Sequence, residues 1–107
     1  MQKRIYLLST LLPVLGFLFV PPALSAEADL VKAEKVYKRS CATCHGKQGE
    51  KPAMGESKII NQLKPEEIST ALSERKAGNI TGAGSPAKQR LSEQDIHNLS
   101  EYIQTLK

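Results

Sequence analysis

Apolar residues recur along this chain at helical spacing in three places after its opening stretch, and no segment of useful length alternates as a strand would. From Asp29 to Ser40, Leu30, Ala33, Val36 and Tyr37 fall on one face with lysines and glutamates between them, predicting an amphipathic helix that ends near Ser40. A second helix is expected from Pro65 to about Lys76. Proline suits a first helical turn, Glu66 and Glu67 sit where the helix dipole favours negative charge, and Ile68, Ala71 and Leu72 form the inward stripe. The third helix is the best specified. Ser92 reads as its N-cap with Asp95 three residues on, Leu91 and Ile96 are placed to form a hydrophobic staple, and Ile96, Leu99, Tyr102, Ile103 and Leu106 make a buried face. Gly46, Gly49, Pro52 and Gly55 break the pattern between Cys41 and Leu63, which reads mostly as loop with a short turn around Ser57 to Gln62. Ala77 to Arg90 holds Gly78, Gly82, Gly84 and Pro86 and reads as a surface loop. These elements predict an all-α fold in one domain, without internal repeats.

The first quarter of the chain has a different character. Lys3 and Arg4 precede an apolar stretch from Ile5 to Val20, and small residues follow from Pro21 to Ala26, the three-part layout of a secretory signal. Pro13 and Gly16 interrupt the stretch, which argues against a membrane span. Residues 1–26 are therefore expected to be a signal peptide and residues 27–107 the folded domain. Cleavage after Ser25 also satisfies the small-residue rule, and an uncleaved anchor is the competing reading. Either way the protein is expected to be periplasmic or otherwise exported, with no stable membrane insertion once the signal is removed.

Removing that segment changes the charge. From Glu27 onward there are 13 Lys and Arg against 11 Asp and Glu, a formal charge of +2 rather than the +4 of the whole chain, which makes no case for nucleic-acid binding. Lys38, Arg39, Lys47, Lys51 and Lys58 flank the cysteines, either as a weak docking rim or as solvated surface. The folded part has only two aromatic residues, Tyr37 and Tyr102. So short a chain with so thin a core needs a staple, whether disulfide, metal or cofactor.

Cys41-Ala42-Thr43-Cys44-His45 supplies one, as the C-x-x-C-H pattern of covalent haem attachment. Two thiols three positions apart reach the two haem vinyl groups from a single turn of chain, and His45 is then held beneath the iron as its proximal ligand. Its second ring nitrogen is expected to donate to a backbone carbonyl, with Pro52 or a neighbour as acceptor. A structural disulfide, a thioredoxin-like redox pair and a zinc site are the rival readings. The redox pair lacks its βαβ framework, and a zinc site would have to recruit His97.

On these residues the chain resembles the small monohaem class I cytochromes c of the short soluble bacterial kind, over nearly all of Ala28 to Leu106. Ala33-x-x-x-Tyr37 is similar to the face of that family's first helix, and Leu99-x-x-Tyr102 to the last-helix partner that crosses it. Cys41 to Gly46 matches the attachment site, Gly49 to Gly55 resembles the loop along the haem edge, and Leu91 to Ile96 resembles the entry into the last helix. The resemblance implies a compact helical fold around one covalently attached haem c. It also implies one-electron transfer between redox partner proteins in the periplasm, and no enzymatic activity.

One departure stands out. Such proteins supply a methionine from the loop before the last helix as the second axial ligand, but here that place holds Ala83-Gly84-Ser85-Pro86 in a shortened loop. Met54 is the sole methionine after the signal segment and the candidate substitute, with apolar filler against the haem as its other reading. His97 points about 100° from the buried stripe of its helix and is expected at the surface. Lys88 and Asn79 lie in the right loop by position alone. The alternative function is a haem protein whose open distal site binds or senses a small diatomic ligand.

Overall fold

The computed structural model describes Gly16 and residues 27–107. The expected signal peptide and both of its cleavage positions lie, Gly16 apart, outside the described residues. Five helices follow in order: α1 (Leu30–Ser40), α2 (Ala42–His45), α3 (Pro65–Lys76), α4 (Ser85–Gln89) and α5 (Glu93–Gln104). Two 3-10 turns, Ala53–Gly55 and Ile60–Gln62, interrupt the connection between α2 and α3. Among the described residues there is no strand, and no helix is long and apolar enough to cross a membrane.

The first and last helices form the frame. α1 packs on α5, and α5 packs along its other side on α3, which in turn carries α4. At the α1–α5 crossing the rings of Tyr37 and Tyr102 lie 5.7 Å apart, tilted by 57°, within the range for favourable edge-to-face contact. Ala33 faces the crossing from the turn before Tyr37. Both are essentially inaccessible, as are Ile96 and Leu99 of α5. Ile68 and Leu72 of α3, with Leu91 and Ile103, complete the apolar core.

Both ends of the frame are tied by polar groups. Asp29 caps α1, its carboxylate accepting from Lys32 N at 2.9 Å. The Asp29 N–H itself donates to the buried Asn98 side-chain oxygen of α5 at 3.0 Å, and Gln94 donates to the same atom at 2.8 Å. Lys32 approaches Asp95 to 3.5 Å. These contacts explain why Leu30 is not on the inward face as the spacing suggested. Its turn of α1 meets the polar start of α5, and Leu30 stays 43% exposed. At the start of α5 the capping box forms reciprocally, Asp95 N donating to Ser92 Oγ and Ser92 N to Asp95 Oδ2, both at 3.0 Å.

Two segments read as loop contain helix. α2 is a single turn made of the attachment motif itself. In the 77–90 segment Pro86 falls in the first turn of α4, so the residue that reads as a breaker opens a helix instead. Ser85 is buried, and its hydroxyl accepts from Gly82 N at 2.7 Å. The Lys76 ammonium donates to the Leu91 carbonyl and closes the far side of this segment.

Truncating Tyr37 to Ala should cost the holoprotein about 3–5 kcal/mol, as for other buried aromatics, whereas Tyr37→Phe should cost only about 1 kcal/mol for one hydrogen bond. Denaturant midpoints of the two variants against wild type check this.

Asp95 yields a pH dependence. Its hydrogen bonds from Ser92, and Lys32 beside it, hold its carboxyl below the usual carboxylate value. A lowered folded value means the stabilisation is complete above the unfolded pKa, about 4, and is lost as pH falls below that through the folded value. Asp95→Asn should lower stability at neutral pH and flatten its decline below about pH 4, measured as melting temperature against pH.

Candidate functional site

Cys41 stands at the junction of two helices and starts the site. Its N–H ends α1 by donating to Tyr37 O at 2.8 Å, and its carbonyl starts α2 by accepting from Cys44 N at 3.2 Å and His45 N at 3.0 Å. One helical turn therefore carries Cys41, Cys44 and His45 at the i, i+3 and i+4 positions, which share a face. The sequence places these residue types together, and the turn gives them a common direction. Both cysteines are free thiols, Cys41 half-buried and Cys44 exposed. Burial pushes the Cys41 thiol up, so it is held protonated.

The chain immediately after His45 is fixed from several sides. Gly46 is buried with φ +86°, in the left-handed region that favours glycine, and a Cβ there would collide with the Glu50 carboxylate. Its carbonyl accepts the Tyr37 hydroxyl at 2.6 Å and Gly49 N at 3.3 Å. Burial raises the Tyr37 phenol to about 12, keeping it protonated as a donor. Lys51 N donates to His45 O at 2.9 Å, and Asn61 binds the Gln48 carbonyl at 2.9 Å.

His45 is half-buried and its Nδ1 is buried with no hydrogen-bond partner. The expected bond to Pro52 is not formed, because the Pro52 carbonyl turns into the Ala53–Gly55 turn and accepts from Gly55 N at 3.0 Å. Burial, then the cations Lys88 and Arg75, push the imidazole below its ordinary value and hold it neutral, the form in which a ring nitrogen can bind a metal. Two free thiols on one turn, an uncommitted neutral imidazole beside them and a core with a single buried aromatic fit a covalently attached haem. Cys41 and Cys44 would take its vinyl groups and His45 its iron. Among the described residues no group of three or more His, Cys, Asp or Glu gathers as a metal site.

The remaining candidates separate. Met54 lies on the first 3-10 turn, 78% exposed and with φ +56°, an uncommon value for a residue with a side chain. His97 is exposed, as its place on the helix predicted. Asn79 is exposed and donates to Glu74 at 2.9 Å. Lys88, which position alone had suggested, is half-buried. Burial and then Arg75 push its ammonium below the ordinary lysine value, while the two cysteine thiols bear on it in the opposite sense. Its proximity to the motif was not legible in the sequence, since it depends on the unforeseen α4.

Comparison with known proteins gives a consistent result. The cytochrome c family model matches residues 30–107. The chain is 41% identical to cytochrome c-553 of Helicobacter pylori (strain ATCC 700392 / 26695) over 83 residues, covering 77% of this chain and 86% of that protein. It is also 36% identical to cytochrome c-554(547) of Halothiobacillus neapolitanus over 91 residues, covering 74% of this chain and 98% of that one.

If haem fills the gap in this core, the chain without it should not hold its fold. A Cys41→Ala, Cys44→Ala double variant should lose the sharp thermal transition of the holoprotein and most of its helical circular dichroism, because burial in so small a domain barely offsets conformational entropy.

Proposed function

The chain belongs to the cytochrome c family, and on that premise we propose that it is an exported carrier of single electrons between redox proteins in the periplasm. It is a c-type cytochrome of electron transfer with one covalently attached haem c. In this proposal residues 1–26 are the signal peptide, residues 27–107 the working domain, Cys41 and Cys44 the thioether residues and His45 the proximal ligand. The observation that carries the assignment is the single turn Cys41–His45, with two free thiols and an imidazole whose Nδ1 is buried and unpartnered.

The bound haem supplies a one-electron ferric/ferrous couple. The chain's task is to hold that couple still and to screen it. His45 stays neutral chiefly through burial. The Tyr37 hydroxyl fixes the carbonyl that follows it, so the ligand-bearing turn is tied to the α1–α5 crossing and cannot swing when the charge at the site changes. A rigid surround keeps the structural rearrangement that accompanies electron transfer small. Lys38, Arg39, Lys47, Lys51 and Lys58 flank the motif in sequence, are all exposed and would form the rim on which acidic partner surfaces dock. No acid, base or nucleophile is assigned a catalytic part. Nothing in the relatives favours the alternative of a small diatomic ligand.

The proposal is tested by recovering the protein from the periplasmic fraction. Its mass should equal that of residues 27–107, or 26–107, plus one haem, and the haem should resist extraction by acidified organic solvent. Extractable haem, or its loss only when Met54 rather than His45 is replaced, would refute the residue assignments.

A further inference from the structure

The short helix α4 occupies the segment from which the resembling proteins supply their second axial ligand, yet no methionine occurs anywhere after Gly55. Gly84 stands just before the helix and Lys88 lies one turn further on, its N–H donating to Gly84 O at 3.3 Å. Side chains on a helix lean back towards its N-terminus, and Lys88 does so fully. Its Nζ lies 2.6 Å from the point where a Cβ on Gly84 would be. The amine tip thus fills the space that a side chain at position 84 would enter, in the stretch where the missing methionine would be expected. A larger residue at 84 would have to displace it.

The same amine is half-buried and bears electrostatically on Cys41, Cys44 and His45. Its neighbour Arg75 cannot serve in its place. That guanidinium stays protonated and is engaged with the Ala71 carbonyl at 2.9 Å. Met54 is mostly exposed on the turn that packs against α2, the helix of the proximal ligand. Among the described residues, Lys88 is a Lewis-basic side chain of α4 that also bears on the motif.

We propose that Lys88 supplies the second axial ligand of the haem iron, opposite His45, through its uncharged ε-amine. The proposal rests on haem attachment at Cys41 and Cys44 as set out above. Coordination forms an N–Fe bond from the nitrogen lone pair, and the ammonium proton leaves to solvent, with no change in the oxidation state of iron.

The test uses the purified holoprotein, after covalent haem has been confirmed by its resistance to acidified organic solvent, so that failure of attachment is seen separately. The ferric protein should be low-spin with two nitrogen ligands and no sulfur-to-iron charge-transfer band. The proton NMR spectrum of the ferrous form should show strongly shifted methylene signals of a bound lysine and no shifted three-proton methyl singlet of methionine. Lys88→Ala and Lys88→Arg should both lose the low-spin ferric signal and bind carbon monoxide rapidly when ferrous. Arginine keeps the charge and the aliphatic stem but has no free lone pair, so it separates ligation from a structural or electrostatic part. A methionine methyl singlet that disappears in Met54→Ala, a low-spin spectrum retained in Lys88→Arg, or a high-spin wild type that binds carbon monoxide at once would each overturn the proposal. The wild-type spectra decide the matter even if the variants fold poorly.

Discussion

Tyr37 lies where α1 crosses α5, with its ring against Tyr102 and its hydroxyl on the carbonyl of Gly46. The frame and the Cys41–His45 turn meet in that one side chain. The ring belongs to the packing that stabilises the domain, whereas the hydroxyl sets the backbone immediately after His45. Gly46 makes the second half possible, since its φ of +86° turns its carbonyl back towards α1 and a side chain there would strike Glu50. Position and stability are therefore not separable here. What keeps the helices crossed also keeps the imidazole in place.

The rest of the fold follows from how little apolar material the chain has. Among the described residues nine make up the buried apolar core, and one of them is aromatic. Polar anchors carry a large share of the remaining order: Asn98 accepting from Asp29 and Gln94, Ser85 from Gly82, and Lys76 donating to Leu91. Such anchors fix register between elements but add modestly to net stability. A core of this size fits a protein whose prosthetic group supplies the missing apolar bulk.

Much of this was readable from residue patterns, and the failures have physical causes. Periodicity located α1, and periodicity with an opening proline or a capping serine located α3 and α5. The motif disclosed the cofactor because its chemistry is local: two thiols and an imidazole within five residues. What the pattern hid was α4, where Gly82, Gly84 and Pro86 look like punctuation although Pro86 lies in a first helical turn. Missing that helix also hid Lys88, whose meaning depends on the direction in which one helical turn projects it. Asn98 was overlooked for a related reason. A polar residue between Ile96 and Leu99 reads as solvent-facing until its partner, the N–H of Asp29, is known to lie 69 positions away.

That last bond bears on the order in which the molecule can be completed. α1 is the first described helix to leave the ribosome, yet the helix it packs against most extensively is the last, so its main long-range partner is absent until the final residues exist. Closing a loop of that length is slow compared with forming a helix, and its entropic cost is met only when the contact is made. The thiols of Cys41 and Cys44, immediately after α1, therefore stay on an unlocked chain throughout synthesis. If haem completes this core, the crossing of the first and last helices follows attachment rather than preceding it, and both thiols stay reachable until then.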